Sequence, residues 1–520
     1  IEGKLKAQEE QKKIEEEANK KTDSLTTEYY KIYYIDGRIE TVDTSLSITK
    51  DYKFNFTRKD NFELIKMSNV GHTYNNLGYN FSHYDYPQMG ALGKHFNYFE
   101  KDDIGYYEVP TPFTELFAKS TFEQGQILDA LISINFNPNY NITLAHKGYK
   151  SLGKYQSIKS RGNQLRLSSI FNSNNNLTNV KLHFTSQNLF NDENGGLEPD
   201  SIYFFEQAPD YFVLDEYGNQ IQNEDGTYEM IYYDGYLDRS RLGPNIIASG
   251  SLYSKRFFTD ISRVIINKDE NNTSLIFGYQ FTHEYKKLNF KENRGGRFFG
   301  DFFSVDPEDN SINDLSRFIF DENIFYLKSN LNKLGTIHLQ FKQIKWKNTY
   351  QIESDLDLID MLNPKQSKIS INWKKDLSNL SLYFDFDNSL KDSFKSNKIE
   401  LGIEGNFLKN FKFAISGSQF ERSPNFNFIL HRSQYESYNW YNDDLIDEKI
   451  SKVSLDIFYK NYVNLSGEYN IIDNFTFFRE SANPLLGEFD FFRMAIPNQS
   501  RSEEHTSELQ SPMYLVCRLL

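Results

Sequence analysis

From about residue 111 onward, apolar and polar residues alternate with period two in stretches of about ten, and the links between stretches alternate between short and long. Leu128, Ala130, Ile132, Ile134 and Phe136 fall on one face of such a stretch, with Asp129, Ser133 and Asn135 on the other. Ile399, Leu401, Ile403 and Phe407 oppose Glu400, Glu404 and Asn406, and Phe411, Phe413 and Ile415 oppose Lys412, Ala414 and Ser416. Val453, Leu455, Ile457 and Tyr459 oppose Lys452, Ser454, Asp456 and Lys460; further runs surround Val180, Leu182, Phe184 and Leu380, Leu382, Phe384, Phe386. Period two means strands with one apolar and one wet face. Short links fall at Asn137-Pro138-Asn139, 173–177, 268–273, 333–336, 376–379, 408–410 and 461–463, and long ones near 152–162, 190–248, 291–323, 353–366, 388–397 and 421–448. A soluble sandwich gives no reason to trim one end and elaborate the other. A transmembrane barrel does, with short periplasmic turns and long outer loops. It also satisfies every backbone group in lipid without an apolar helix.

Composition agrees. Aromatics reach 16%, with 45 Phe and 35 Tyr, while hydrophobic residues total only 38%. This balance favours strands over helices. Mean hydropathy is −0.64 and no run of 18 apolar residues exists, which excludes a helical membrane protein. A net charge of −14 and a pI near 5.3 argue against nucleic acid as a partner. Aromatic pairs near strand ends (Phe136 and Tyr140, Tyr149 and Tyr155, Phe257 and Phe258, Tyr459 and Tyr462) are expected to form interfacial girdles.

Residues 1–25 read as a charged helical or disordered lead. Residues 26–75 read as a β-rich periplasmic or plug-like segment, with a hairpin around Asp36-Gly37. Residues 76–500 read as the barrel. The tail at 501–520, RSEEHTSELQSPMYLVCRLL, resembles a translated sequencing adapter and is expected to be non-native. It carries the chain's one cysteine, Cys517, so no disulfide framework or cysteine nucleophile is expected. On this reading the barrel is C-terminally truncated, with about fifteen strands before the cut and sixteen or more when complete. Ile1 is not an initiator, so any signal peptide would lie upstream.

Chemistry-bearing motifs are sparse. The nine histidines show no H-x-x-x-H or H-E-x-x-H spacing, and no nucleophile elbow or Walker loop occurs. Asn293-Arg294-Gly295-Gly296-Arg297 lacks the Lys-Ser/Thr and following helix of a phosphate loop. The acidic residues of Val305-Asp306-Pro307-Glu308-Asp309-Asn310 lack the full calcium-loop pattern. No catalytic residue, metal or cofactor is therefore expected.

Several short motifs occur in order: Asp60 and Phe62 before Asn69-x-Gly71, the Tyr106-Tyr107 pair, Thr111-Pro112 with Glu115-Leu116, Gly125-Gln126, GYKSLGKY at 148–155 and Asn194-Gly195-Gly196. A later stretch, SPNFNFILHRSQYESYNWYN at 423–442, carries Tyr438-Asn439-Trp440. On these features the chain resembles the putative porin family of the Bacteroidota outer membrane, over most of its length up to about 500. His72 stands where that family's pattern suggests Gln, and the terminal strand read by the barrel assembly machinery is missing. The resemblance implies the fold more firmly than transport and carries no catalytic residues.

The expectation is an all-β protein: a large antiparallel transmembrane β-barrel in the outer membrane, not an enzyme, passing small hydrophilic solutes. Candidate pore-lining residues are Asp129, Asn135, Lys181, Glu400, Glu404, Lys412, Lys452 and Asp456. They mix both signs, so charge selectivity should be modest, with the acidic balance leaning toward cations. Segment 190–248 is the expected constriction or cap. Expected partners are outer-membrane lipids, the barrel assembly machinery, small hydrophilic solutes and a second copy in a homo-oligomer, with no nucleic acid. The alternative is a closed barrel acting through its outer loops as adhesin or receptor. A soluble sandwich would need its apolar faces buried, and a barrel-embedded enzyme comes last.

Overall fold

In a computed structural model, the structure describes residues 27–42, 64–66, 69–76, 81–90, 92–121, 125–207, 211–213, 215–217, 219–231, 242–268, 273–293, 311–331, 333–351, 361–390, 394–408, 410–435, 438–460, 463–482 and 493–500. The expected lead at 1–25 and the tail at 501–520 lie outside them.

The period-two stretches form a sixteen-stranded antiparallel sheet. Fifteen strands follow one another in unbroken next-neighbour order: β1 Phe113–Thr121, β2 Gly125–Asn137, β3 Tyr140–Ser151, β4 Ser160–Asn172, β5 Thr178–Glu193, β6 Ala248–Lys268, β7 Thr273–Asn293 and β8 Ser311–Leu331. They continue through β9 Gly335–Gln351, β10 Lys365–Asp376, β11 Leu380–Ser389, β12 Lys398–Leu408, β13 Phe411–Arg422, β14 Glu448–Tyr459 and β15 Val463–Asp473. The two-residue strand Met361–Leu362 pairs beside β9. A hairpin of Thr476–Ala482 and Arg493–Gln499 stands apart from this path. Among the described residues β1 and β15 are the sheet's edges. Among the described residues the large sheet begins at Phe113. The hairpin expected at Asp36-Gly37 forms, with Lys31–Tyr33 against Ile39–Thr41 and Gly37 at φ +90°. Tyr106–Glu108 adds a third strand to it.

The two faces of the large sheet are inverted relative to a soluble protein. Leu128, Leu144, Leu167, Leu182, Phe257, Ile261, Phe325, Leu339, Leu401, Ile415, Val453 and Leu465 are exposed on one face. The opposite parity buries Ser133, Gln164, Thr185, Arg256, Glu284, Glu322, Asn348, Lys368 and Arg422. An apolar exterior of this extent around a polar interior is the signature of a sheet that meets lipid outside and encloses its polar face. No helix among the described residues is long and apolar enough to cross a membrane.

Curvature follows from what the inner face touches. One stretch, residues 69–109, reaches β3 through Asn69, β4 through Val70, β5 and β6 through Phe99, β7 through Tyr98, β9 and β10 through Asp85 and β13 through Ser82. Strands far apart in the order thus face one segment, as on the inner wall of a barrel. Aromatic placement splits. Phe136 packs near Tyr140 and Phe411 near Tyr459 beside short turns. Tyr149 and Phe258, expected in girdles, are instead buried on the inner face, because strand parity outranks proximity to a strand end.

Candidate functional site

The inner face is built from the inward parity of each strand, and residues 69–109 divide it into a covered and an uncovered part. Three anchors hold that segment.

The first uses the Asn69-x-Gly71 motif. Asn69 Nδ2 donates to the carbonyls of Ile158 at 2.7 Å and Ser151 at 3.3 Å. Asn191 Nδ2 donates to the Gly71 carbonyl at 2.8 Å, and Ser160 Oγ donates to that of Val70. His72 Nε2 lies 2.6 Å from the Ile158 carbonyl, and burial pulls its pKa down. Gly71 sits at φ +80°, and a Cβ there would stand 2.3 Å from the Tyr149 ring. On the ring's other side, Gly162 would place a Cβ 2.1 Å away. Tyr149 is thus clamped between two glycines, one on the segment and one on its own cross-strand partner. Asn69-x-Gly71, the Tyr149 of GYKSLGKY and the neighbourhood of Asn194-Gly195-Gly196 are dispersed in sequence but meet here.

The second anchor is mid-barrel. Tyr98 donates to Glu284 Oε1 at 2.5 Å, and Arg256, itself paired with Glu284 at 2.8 Å, donates to the Phe99 carbonyl at 2.9 Å. Gln187 embraces the Phe99 peptide, accepting from its N–H and donating to its carbonyl, each at 2.9 Å. Arg166 stacks 4.1 Å from the Phe99 ring centroid and Lys101 pairs with Glu322 at 3.1 Å. Tyr106, fully buried, bonds His183 Nδ1 at 2.8 Å and packs on Ile170 and Phe258.

The third anchor is ionic. Asp85 receives Lys368 Nζ at 2.5 Å and Lys342 Nζ at 2.8 Å. His83 lies 3.8 Å from Asp387, and its Nε2 is 2.8 Å from Ser396 Oγ. Arg422, paired with Glu448, donates to the Ser82 carbonyl at 2.7 Å. Burial opposes ionisation of Asp85, yet the ammonium groups of Lys342 and Lys368 hold its carboxyl well below the usual carboxylate range. Burial, reinforced by Lys368, pushes His83 down to about 4. The ligand atoms of His83, Asp85 and Asp387 lie within 4.8 Å of one another, close enough for a metal. Lys368 Nζ, however, is already 2.5 Å from Asp85 and 3.6 Å from Asp387, so an ammonium stands where a cation would. The donor set does not fit a metal.

A second element folds inward above this anchor. Residues Phe426 and Leu430, from the 423–442 stretch, join Met89, Phe318, Phe320, Ile344 and Trp346 in one buried cluster. Ser433 and Tyr435 donate to Asp314 and Glu292 at the long-link ends of β8 and β7. In 190–248, the expected constriction, the described residues that follow β5 bond mainly among themselves, as in the Glu198–Gly243 and Gly196–Asn245 contacts. Among the described residues, the link between β13 and β14 reaches the inner core, joined there by Phe394 and Ser396 of the link between β11 and β12. Sequence reasoning missed it because its aromatic residues carry no period.

Among the described residues, none covers the inner face of β10–β15 toward the short turns. Lys374 pairs with Glu404 at 2.5 Å and Lys452 with Glu468 at 2.7 Å, with exposed or partly exposed side chains, while Lys398 pairs with Glu400 at 2.6 Å at the long-link end, largely buried and 3.6 Å from Asp385. Ser416 and Ser454 share a 2.6 Å hydrogen bond, and Tyr383 lies flat over Gly402, where a Cβ would come within 2.1 Å of its ring. Of the candidate lining residues, Glu400, Glu404, Lys412, Lys452 and Asp456 share this face by parity. Asp129 instead accepts from Arg166 at 2.9 Å beneath the segment, Asn135 accepts from Asn141 at 2.6 Å by a short turn, and Lys181 stands 5.5 Å from the Tyr106 ring centroid.

Among solved structures, the chain is similar to the ferric enterobactin receptor of Pseudomonas aeruginosa (9% identity over 75% of this chain and 56% of that one, TM-score 0.44). It is also similar to the siderophore receptor PirA of Acinetobacter baumannii (11%, 75% and 56%, 0.42) and the ferric-catecholate import receptor Fiu of E. coli K12 (10%, 71% and 59%, 0.42). The chain spans a little over half the length of these receptors. None of the curated proteins matches it. The family model described as "Putative porin" matches residues 26–510. The chain belongs to that porin family and is an antiparallel β-barrel of the outer membrane.

Proposed function

We propose that the protein is a porin through which small hydrophilic solutes diffuse passively, along a path bounded by the inner face of β10–β15 on one side and by residues 69–109 on the other. The observation that carries this reading is the uncovered row of inward polar side chains on β10–β15, beside a covered half packed with aromatic and buried ionic groups. Glu400, Glu404, Lys412, Lys452 and Asp456 line the path; Asp129, Asn135 and Lys181 act on the covered side or at the turns. Residues 69–109 serve as an inner element that narrows the lumen. The exposed apolar face meets outer-membrane lipid, and the barrel assembly machinery inserts it. Nothing in this function calls for a catalytic group.

Planar-bilayer conductance tests it. Discrete ohmic steps are the expected result. A protein that inserts, with heat-modifiable gel mobility, yet stays silent would favour the second reading, a closed barrel acting as a receptor through its outer links. That reading draws on the extent of the covered half and on the inward fold of residues 423–442.

A further inference from the structure

We infer that the uncovered wall favours small zwitterions over singly charged or neutral solutes of the same size; this rests on the reading that the wall borders an open path. Six of its charges are paired. Lys374–Glu404, Lys398–Glu400 and Lys452–Glu468 are three contacting pairs, at 2.5, 2.6 and 2.7 Å, on one face of neighbouring strands. Each of these three cations therefore carries an anion at its side, and the chain's overall −14 does not describe what a solute meets at the pairs.

The physical consequence is a selection by partner exchange. A zwitterion offers one ammonium and one carboxylate a few ångströms apart. It can open a Lys–Glu pair and give each member a new charged partner, trading charge-assisted hydrogen bonds for bonds of the same kind. A singly charged solute can satisfy one member only and leaves the other without its partner, which costs more as water is excluded. A neutral polyol replaces charge-assisted bonds with weaker neutral ones. Partial exposure of the pairs lets them open at small cost, since water screens exposed ion pairs and takes the place of a lost partner. Small side chains (Ser416 and Ser454) stand between them, and the Tyr383 ring lies on Gly402, which leaves the pairs accessible from the lumen.

The test is swelling of liposomes holding the full chain, with four probes of similar mass: glycylglycine, glycylglycine amide, N-acetylalanine and a neutral polyol. The expected result is that glycylglycine enters about five- to tenfold faster than the amide or N-acetylalanine, the span one differential charge-assisted contact supplies. In the Lys374→Glu, Lys452→Glu double variant the preference should vanish and the cationic amide should become the fastest probe. The milder Lys452→Gln should halve the preference or more. Heat-modifiable gel mobility separates a folded variant from one that fails to assemble. Rates in the wild-type protein that follow size alone, or a singly charged probe that leads, would overturn this inference while leaving the porin reading intact. No swelling with any probe would remove the porin reading and this inference together.

Discussion

The inner faces of β3–β9 and of β10–β15 follow the same alternation but are put to different use. On β3–β9 the inward positions hold Tyr149, Phe258, Phe318 and Trp346, together with Arg256 and Glu284, all buried beneath residues 69–109 or 423–442. On β10–β15, away from the ionic anchor, they hold side-by-side Lys–Glu pairs, serines and a glycine, and water reaches them. Covered inward positions afford aromatic bulk and ion pairs whose loss is costly, because removing one member leaves a charge without water or partner. Uncovered positions keep charges whose individual loss matters little to stability. The difference teaches that polarity of the inner face alone does not make a lumen; what decides is whether a second element lies on it.

The comparison can be broken most severely at Asp85. Asp85→Ala would leave Lys368, fully buried, and Lys342 without their shared carboxylate. A loss of about 3–5 kcal/mol in the holding of the segment is expected. It should appear as new protease cleavage between residues 69 and 109 in the assembled barrel and as larger conductance steps; unchanged cleavage would refute the anchor. Gly162→Ala comes next. It puts a methyl group against the clamped Tyr149 ring and should cost about 1–3 kcal/mol in thermal unfolding in detergent. The outward Gly417, with nothing near its Cβ, should tolerate Ala far better.

A pH titration sharpens the same contrast. His83, faced by Asp85, Asp387, Lys368 and Lys398, is held neutral down to about 4, against 6.5 when free. Below pH 6.5 the released segment gains a proton that the docked one refuses, so docking is constant above 6.5 and weakens steadily from 6.5 to about 4. Segment cleavage followed against pH should show that slope, and His83→Asn should remove it. Smallest is Lys452→Gln on the uncovered wall. It should change stability by less than about 1 kcal/mol, yet move the reversal potential in a salt gradient toward cations.

The strand framework was legible because period two is written locally: the parity of Leu128 to Phe136 or of Val453 to Tyr459 needs no knowledge of neighbours. The outward apolar and inward polar assignment of Glu400, Lys412 and Asp456 follows from it directly. Covering was not legible. Asp129 and Lys181 look like Glu404 and Lys452 in sequence, and only the path of residues 69–109 sets them apart. That segment lacks a period, since it is held by single contacts such as Asn69 on Ile158 and Asp85 on Lys368, each formed across a long stretch of chain. Its motifs were visible, but their meeting point was not. Tyr149 and Phe258 were misassigned for a related reason: an aromatic at a strand end belongs to the lipid interface or to the interior according to its parity.

Three tyrosines share one posture. Tyr149 lies across Gly162, Tyr326 across Gly278 and Tyr383 across Gly402, each pair being direct cross-strand partners with no room for a Cβ. A phenol standing upright on an inner wall spans several ångströms of radius; lying on a glycine it spans about one ring thickness. The bore of such a tube is then adjustable without adding a strand or shifting a register. A single Gly-to-Ala change would lift one ring and tighten the calibre at one height, and the reverse change would widen it. Gauge, in a barrel of this kind, is a property that point mutation can reach.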